Sequence, residues 1–191
     1  MQRPVPPRSS RHVALPIRLA HPADTEQIAA LMRDSVLRLF PHFYDERQTA
    51  SAALYIARLD PRLIEDGTYF VHEIEPGQIV SCGGWSRRAK LHAGAGDAPG
   101  DERLLDPRTE PARVRAMFVH PDWTRRGLGR AILEACELAA RTEGFTNLEL
   151  MATLPGEQLY RAFGFREIAR PLLTLGDGVR VEGVAMERRI A

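Results

Sequence analysis

The chain predicts a single α/β domain, a sheet with helices packed on its faces, and three observations carry that expectation. Its 191 residues suffice for one well-buried core and are short for two. From Pro16 onward, segments with the period of a strand alternate with segments with the period of a helix. Finally, the apolar run at 114–119 breaks at His120-Pro121 and re-enters as a helix through a turn with glycines at 127 and 129.

Taken in order, residues 1–15 read as a disordered tail. Pro4, Pro6 and Pro7 oppose a helix, Arg3, Arg8 and Arg11 meet no acidic residue before Asp24, and no apolar stretch suggests a secretory signal. The domain is expected over 16–191. Residues 17–20 suit a first strand. Asp24 and Gln27 have capping-box spacing at the start of a helix with Ile28, Leu31, Met32, Val36, Leu39 and Phe40 on one face, and Pro41 closes it. A second helix is expected over 46–58. Residues 68–75 and 78–86 flank Pro76-Gly77 as an antiparallel hairpin. Residues 87–112, rich in Gly, Ala, Asp and Pro, have neither period and read either as a lid over a site or as a disordered insertion.

The helix after Gly127 places Leu128, Ala131, Ile132, Ala135, Cys136 and Ala139 on one stripe and Arg130, Glu134, Glu137 and Arg141 on the other, with Gly144 as its cap. Residues 147–151 suit a strand and 154–163 a short helix that leaves through Gly164-Phe165. Two last strands, 166–175 and 179–190, flank Gly176-Asp177-Gly178.

Composition excludes several functions. A net charge of +1 supplies no field for nucleic acid. Lys90 is the one lysine, so the positive charge is arginine, suited to fixed anion contacts rather than to lysine chemistry. Cys82 and Cys136 have neither metal-ligand nor disulfide spacing, which points to a reducing cytoplasm and to no metal. No apolar run approaches the roughly 20 residues of a membrane span.

The chemistry lies in Thr124-Arg125-Arg126-Gly127-Leu128-Gly129-Arg130. A helix start leaves amide N–H groups without partners and carries partial positive charge. Glycines at 127 and 129 let a diphosphate approach the backbone, and Arg125, Arg126 and Arg130 add charge-assisted bonds. A P-loop would need Gly-Lys-Ser/Thr here, and a dinucleotide fingerprint would need a small residue where Ile132 stands. The competing reading is an ordinary strand-to-helix turn with solvated arginines, Arg130 pairing Glu134 four residues on.

This turn, followed in order by a strand, a short helix and Tyr160-x-x-x-Gly164-Phe165, resembles the GCN5-related N-acetyltransferase superfamily over about 17 to the C terminus. The resemblance implies the acyl-CoA N-acyltransferase fold, a mixed and mostly antiparallel sheet with helices on both faces. It further implies that the strand at Phe118 and Val119 holds the pantetheine arm of acetyl-CoA, a main-chain N–H meeting the thioester carbonyl. Arg125, Arg126, Gly127, Leu128, Gly129 and Arg130 would cradle the pyrophosphate, and Tyr160 would protonate the departing thiolate. The sequence departs from the family pattern at Thr124, where Gln or Arg is usual, and at Thr153, where Asn is common.

Many members also carry a glutamate on the strand before the cradle, and this strand has none. Glu73, His72, His120 and Glu149 are the remaining candidates for a base, and each also reads as an ordinary solvated strand residue. Phe40, Tyr44 and Trp85 read either as an apolar lining for the acceptor or as core. The expected activity is acetyl transfer from acetyl-CoA, as co-substrate, to the amine of a small molecule or peptide. The alternative is a non-catalytic acyl-CoA sensor on the same fold. Expected partners are acetyl-CoA and an amine acceptor, with a homodimer left open and neither nucleic acid nor membrane among them.

Overall fold

A computed structural model describes residues 15–91 and 102–190. The elements in chain order are β1 (Ile17–Leu19), α1 (Thr25–Leu39), α2 (Glu46–Tyr55), α3 (Pro61–Glu65), β2 (Tyr69–Glu73), β3 (Ile79–Ser86), β4 (Ala112–Val119), α4 (Leu128–Thr142), β5 (Asn147–Thr153), α5 (Glu157–Phe163), β6 (Arg166–Ala169), β7 (Leu172–Thr174) and β8 (Arg180–Arg189). The sheet order is β1-β2-β3-β4-β5-β8-β6, with β7 also on β8. Every pairing is antiparallel except β4 with β5.

Helices cover both faces. Ile28, Leu31, Met32 and Val36 of α1 and Ala52 of α2 pack on Val71, Cys82, Phe118 and Val181. Ile132, Leu133, Cys136 and Ala140 of α4 and Phe163 of α5 pack on Trp85, Val114, Leu148 and Leu150. All eight residues of β3 are therefore buried, as expected for a strand sandwiched between two helical layers.

The face of α4 is turned slightly from the expected stripe. Leu133 and Ala140 are buried, whereas Ala131, Ala135 and Ala139 are only partly so. Burying a leucine removes more apolar area from water than burying an alanine, and this sets the rotation.

The capping box expected at Asp24 is replaced by a different contact. The Asp24 carboxylate accepts from the Arg18 guanidinium at 2.7 and 3.0 Å and from the His21 N–H at 2.7 Å. A guanidinium fork outcompetes a neutral amide for a carboxylate. The pairing ties β1 to the start of α1 and holds the Asp24 carboxyl below its ordinary range, the Arg18 bonds being the main cause. A reciprocal box does form at α2, where Asp45 accepts from the Gln48 N–H at 2.8 Å and Gln48 accepts from the Asp45 N–H at 3.1 Å.

The strand expected over 166–175 is interrupted at Arg170-Pro171, giving β6 and β7, because proline supplies no ladder donor. The tail expected over 1–15 falls almost wholly outside the described residues, as does the centre of the 87–112 segment. The ends of that segment are tied together by an Arg88–Leu104 bridge, Arg88 is held to the end of α3 by donating to Asp66 at 2.8 and 2.9 Å, and Leu105 is buried.

Gly84 marks a tight passage between β2 and β3. A Cβ there would lie 2.4 Å from the Thr68 carbonyl oxygen and 2.7 Å from the Tyr69 ring. Gly84→Ala is expected to destabilise the fold by about 1–3 kcal/mol, seen as a melting temperature lower by several degrees. An unchanged melt would show that the hairpin accommodates the methyl group.

Candidate active site

β4 and β5 pair only at Ala112–Leu148 and Arg113–Glu149, although β4 continues to Val119 and β5 to Thr153. Beyond the Arg113–Glu149 ion pair, the two strands part and leave an opening inside the sheet. β4 also bulges there. Cys82 faces Phe118 and Gly84 faces Arg115, so Gly83 alone opposes both Ala116 and Met117. Ala116 takes a φ of 52°, a conformation costly for a residue with a Cβ. The Tyr69 hydroxyl donates to its carbonyl at 2.7 Å and helps hold the bulge.

A cavity of about 580 Å³ occupies this opening. Phe118 and Val119 of β4 line it, as do Gly127, Leu128 and Gly129 at the start of α4, and Arg125 and Arg130 beside them. Gly127 has a φ of 84°, a left-handed conformation that favours glycine, and a Cβ there would meet nothing within 4 Å. The space in front of the turn is therefore open to a ligand. The first bond of α4 runs from the Ala131 N–H to the Gly127 carbonyl at 3.0 Å, which leaves the N–H groups of Leu128, Gly129 and Arg130 as donors for an anion. Gly129 is small for packing: a Cβ would lie 2.8 Å from Leu159 of α5.

Arg126 stands apart from these residues. Its guanidinium sits 4.5 Å from the Trp123 ring centre and donates to the Asp122 carbonyl at 3.1 Å, and it does not line the cavity. Arg130 does line it while pairing with Glu134 at 3.0 Å, so the surface pair and the cavity position coexist.

Tyr160 reaches the same cavity from α5. It is 8% exposed, edge-on to Phe165 with ring centres 5.9 Å apart, and its hydroxyl makes no hydrogen bond to any described residue. Burial pushes the phenol above its ordinary range, so it keeps its proton at neutral pH.

The candidate bases lie elsewhere. Glu73 binds Arg18 at 2.8 Å and the Gly77 N–H at 2.7 Å. His72 is buried with Nδ1 2.8 Å from the Ser81 hydroxyl, and burial pushes its imidazole down. His120 has Nε2 3.5 Å from Asp34, and Glu149 is held by Arg113. None lines the cavity. Of the three aromatics, Phe40 does. Tyr44 instead donates to the Glu182 carbonyl at 2.7 Å and accepts from the Leu154 N–H at 2.9 Å, and Trp85 is core against Phe145.

Sequence reasoning did not find the charged residues at the other end of the cavity. Arg58, Asp60 and Arg115 all line it, and Asp60 is the only carboxylate among the described residues that do. Arg115 Nη1 lies 3.0 Å from Asp60 Oδ2. Asp60-Pro61 carried a readable helix-start signal, and Asp60 does cap α3, accepting from the Arg62 N–H at 3.1 Å. Among the described residues, no group of three or more His, Cys, Asp or Glu is placed to hold a metal ion, and no helix is long and apolar enough to cross a membrane.

The family described as Acetyltransferase (GNAT) domain matches residues 65–167, from the end of α3 into β6. No curated protein sequence matches the chain. Among solved structures, a GCN5-related N-acetyltransferase from Rhodopseudomonas palustris superposes with a TM-score of 0.68 at 19% identity, over 92% of this chain and 95% of that one. PaiA N-acetyltransferase from Thermoplasma acidophilum, in complex with coenzyme A, gives 0.61 at 13% identity, over 92% and 99%. YncA from Salmonella typhimurium, with its cofactor acetyl-CoA, gives 0.59 at 19% identity, over 93% and 94%. These likenesses establish a shared fold, and the family match spans more than half of the chain, so the chain belongs to the GNAT acetyltransferase family.

Proposed function

We propose that the protein transfers the acetyl group of acetyl-CoA to the amine of a small molecule or peptide by direct attack. The observation that carries this reading is the meeting, on one cavity, of the α4 N-terminus behind Gly127, the length of β4 that leaves β5, and the buried phenol of Tyr160.

The donor groups fit acetyl-CoA. The N–H groups after Gly127, with Arg125 and Arg130, would hold its diphosphate, and the β4 backbone near Phe118 and Val119 would receive the pantetheine arm and the thioester carbonyl. The thioester supplies an already activated acyl group, so the chain's own work is mostly positioning. Tyr160 donates its proton to the departing sulfur, a role suited to a phenol that stays neutral. Asp60 is tied to Arg115 and to the Arg62 N–H, so the acceptor enters as the free amine or loses its proton to solvent. The compartment inferred is the cytoplasm, where the free, buried thiols of Cys82 and Cys136 stay reduced.

The test is a panel of amines with acetyl-CoA, read by thiol release, beside calorimetry with CoA. Acceptor-dependent release is the expected result. Tight CoA binding with no release from any amine would overturn transfer in favour of an acyl-CoA sensor, and absence of binding would overturn both.

A further inference from the structure

We propose that the acceptor is an amino carboxylate, its carboxylate held by Arg115 together with Arg58 at the end of the cavity remote from the cradle. This rests on the acetyltransferase reading and names the substrate class of the same site.

Charge along the cavity is uneven. Arg125 and Arg130 flank the α4 N-terminus, where the diphosphate is placed. Arg58 and Arg115 also line the cavity, against Asp60, the one carboxylate among the described lining residues. Arg115 precedes the β4 bulge and lies four residues before Val119, away from the turn that leads into α4. Arg58 follows the end of α2, and Asp60 caps α3, so this charged end is built from the helical layer carrying α1 and α2. Arg58 and Arg115 outnumber the one carboxylate among the described lining residues, Asp60, so this end suits an anion.

The state of Arg115 identifies the kind of anion. The side chain is 5% exposed. Its ion-pair partner, Asp60, also accepts from the Arg62 N–H and has the Lys90 ammonium at 4.0 Å. Arg115 Nε is buried and has no acceptor, and among the described residues no other cavity-lining side chain has a buried polar atom in that condition. A buried donor without an acceptor is costly. A carboxylate supplies two acceptor oxygens that match the guanidinium fork. Beside this pair, Leu39, Phe40 and Ile56 give the cavity an apolar wall, which suits the hydrocarbon part of an amino acid.

The experiment pairs each standard L-amino acid with its carboxamide and with the amine lacking the carboxyl carbon. Binding to the CoA-saturated protein is measured by calorimetry, and turnover with acetyl-CoA by thiol release. At least one amino acid is expected to bind, and to react with kcat/KM about 10- to 100-fold above its amide, the usual worth of a charge-assisted pair. Arg58→Gln, at an exposed side chain, should raise KM for the acid several-fold and leave that for the amide unmoved. Arg115→Gln strands Asp60 and risks unfolding, so Arg115→Lys carries the second arm: it keeps the charge toward Asp60, removes the fork, and should erase most of the preference for the acid.

Amides and plain amines that bind and react as well as the acids would overturn the proposal and leave acetyl transfer standing. Failure of every amino acid to bind would also overturn it. Carboxylate-selective binding that Arg58→Gln weakens, without turnover of any amine, would keep the proposal and remove the transfer reading.

Discussion

Tyr160→Phe is expected to lower kcat by about 10²- to 10⁴-fold, the usual worth of a positioned general acid, with CoA affinity and melting temperature unchanged. The substitution removes only the hydroxyl, which bonds to no described residue, and retains the ring that meets Phe165 at 5.9 Å. Stability therefore does not depend on the atom removed. The pH profile gives a second reading. Burial raises the phenol above the ordinary value of about 10, so the protonated form persists across the neutral and moderately alkaline range. The wild-type rate should fall toward acid, where the amine gains a proton, and show no loss of the acid below about pH 10. Steady-state kinetics of both forms on one acceptor decide the matter, and turnover that survives within about twofold, less than 1 kcal/mol of barrier, would remove Tyr160 from the reaction.

Gly127→Glu is expected to weaken CoA binding by about 100-fold or more, close to 3 kcal/mol. Two effects are involved, and Gly127→Ala separates them. Any side chain at a φ of 84° strains the turn, by about 1–2 kcal/mol, and the alanine variant reports that strain alone because its Cβ meets nothing within 4 Å. The glutamate adds a negative charge at the proposed diphosphate site. A carboxylate near a helix N-terminus is otherwise favourable, so the ligand-free protein should still fold. Calorimetry with CoA on the three proteins measures the difference, and equal affinity across them would withdraw the cradle assignment.

Local signals in the sequence were enough for the start of α4 and for the helix that brings Tyr160 to the cavity. Gly127 and Gly129 stand where a strand turns into a helix, and Tyr160 precedes Gly164, whose φ of 100° ends α5 as a helix-stop glycine should. Both depend on neighbours within a few residues. The opposite end was unreadable because Asp60 and Arg115 are 55 residues apart and meet only once β4 is placed beside the α2–α3 connection. Tyr44 and Trp85 were ambiguous for a related reason: strand register and helix rotation decide whether a large aromatic faces a cavity or a core, and no local spacing encodes that decision. Asp24 looked like a cap until Arg18, on the neighbouring strand, claimed its carboxylate. The short helix α3 went unread, although Asp60-Pro61 stands at its start.

The parting of β4 from β5 after Arg113 and Glu149 gives this molecule an open seam through the middle of its sheet. Strand edges at the rim of a sheet invite other chains, but this seam is flanked by α1 and α4 and suits something narrow and extended. A pantetheine arm, with its two amides, has that form, and once seated it would take the part of a missing strand. Folding and occupancy are then linked by mass action. Above its dissociation constant, each tenfold rise in free acyl-CoA adds about 1.4 kcal/mol to the stability of the native state. The melting temperature of this protein should therefore climb with added acetyl-CoA, and with CoA itself, which shares the diphosphate and the arm.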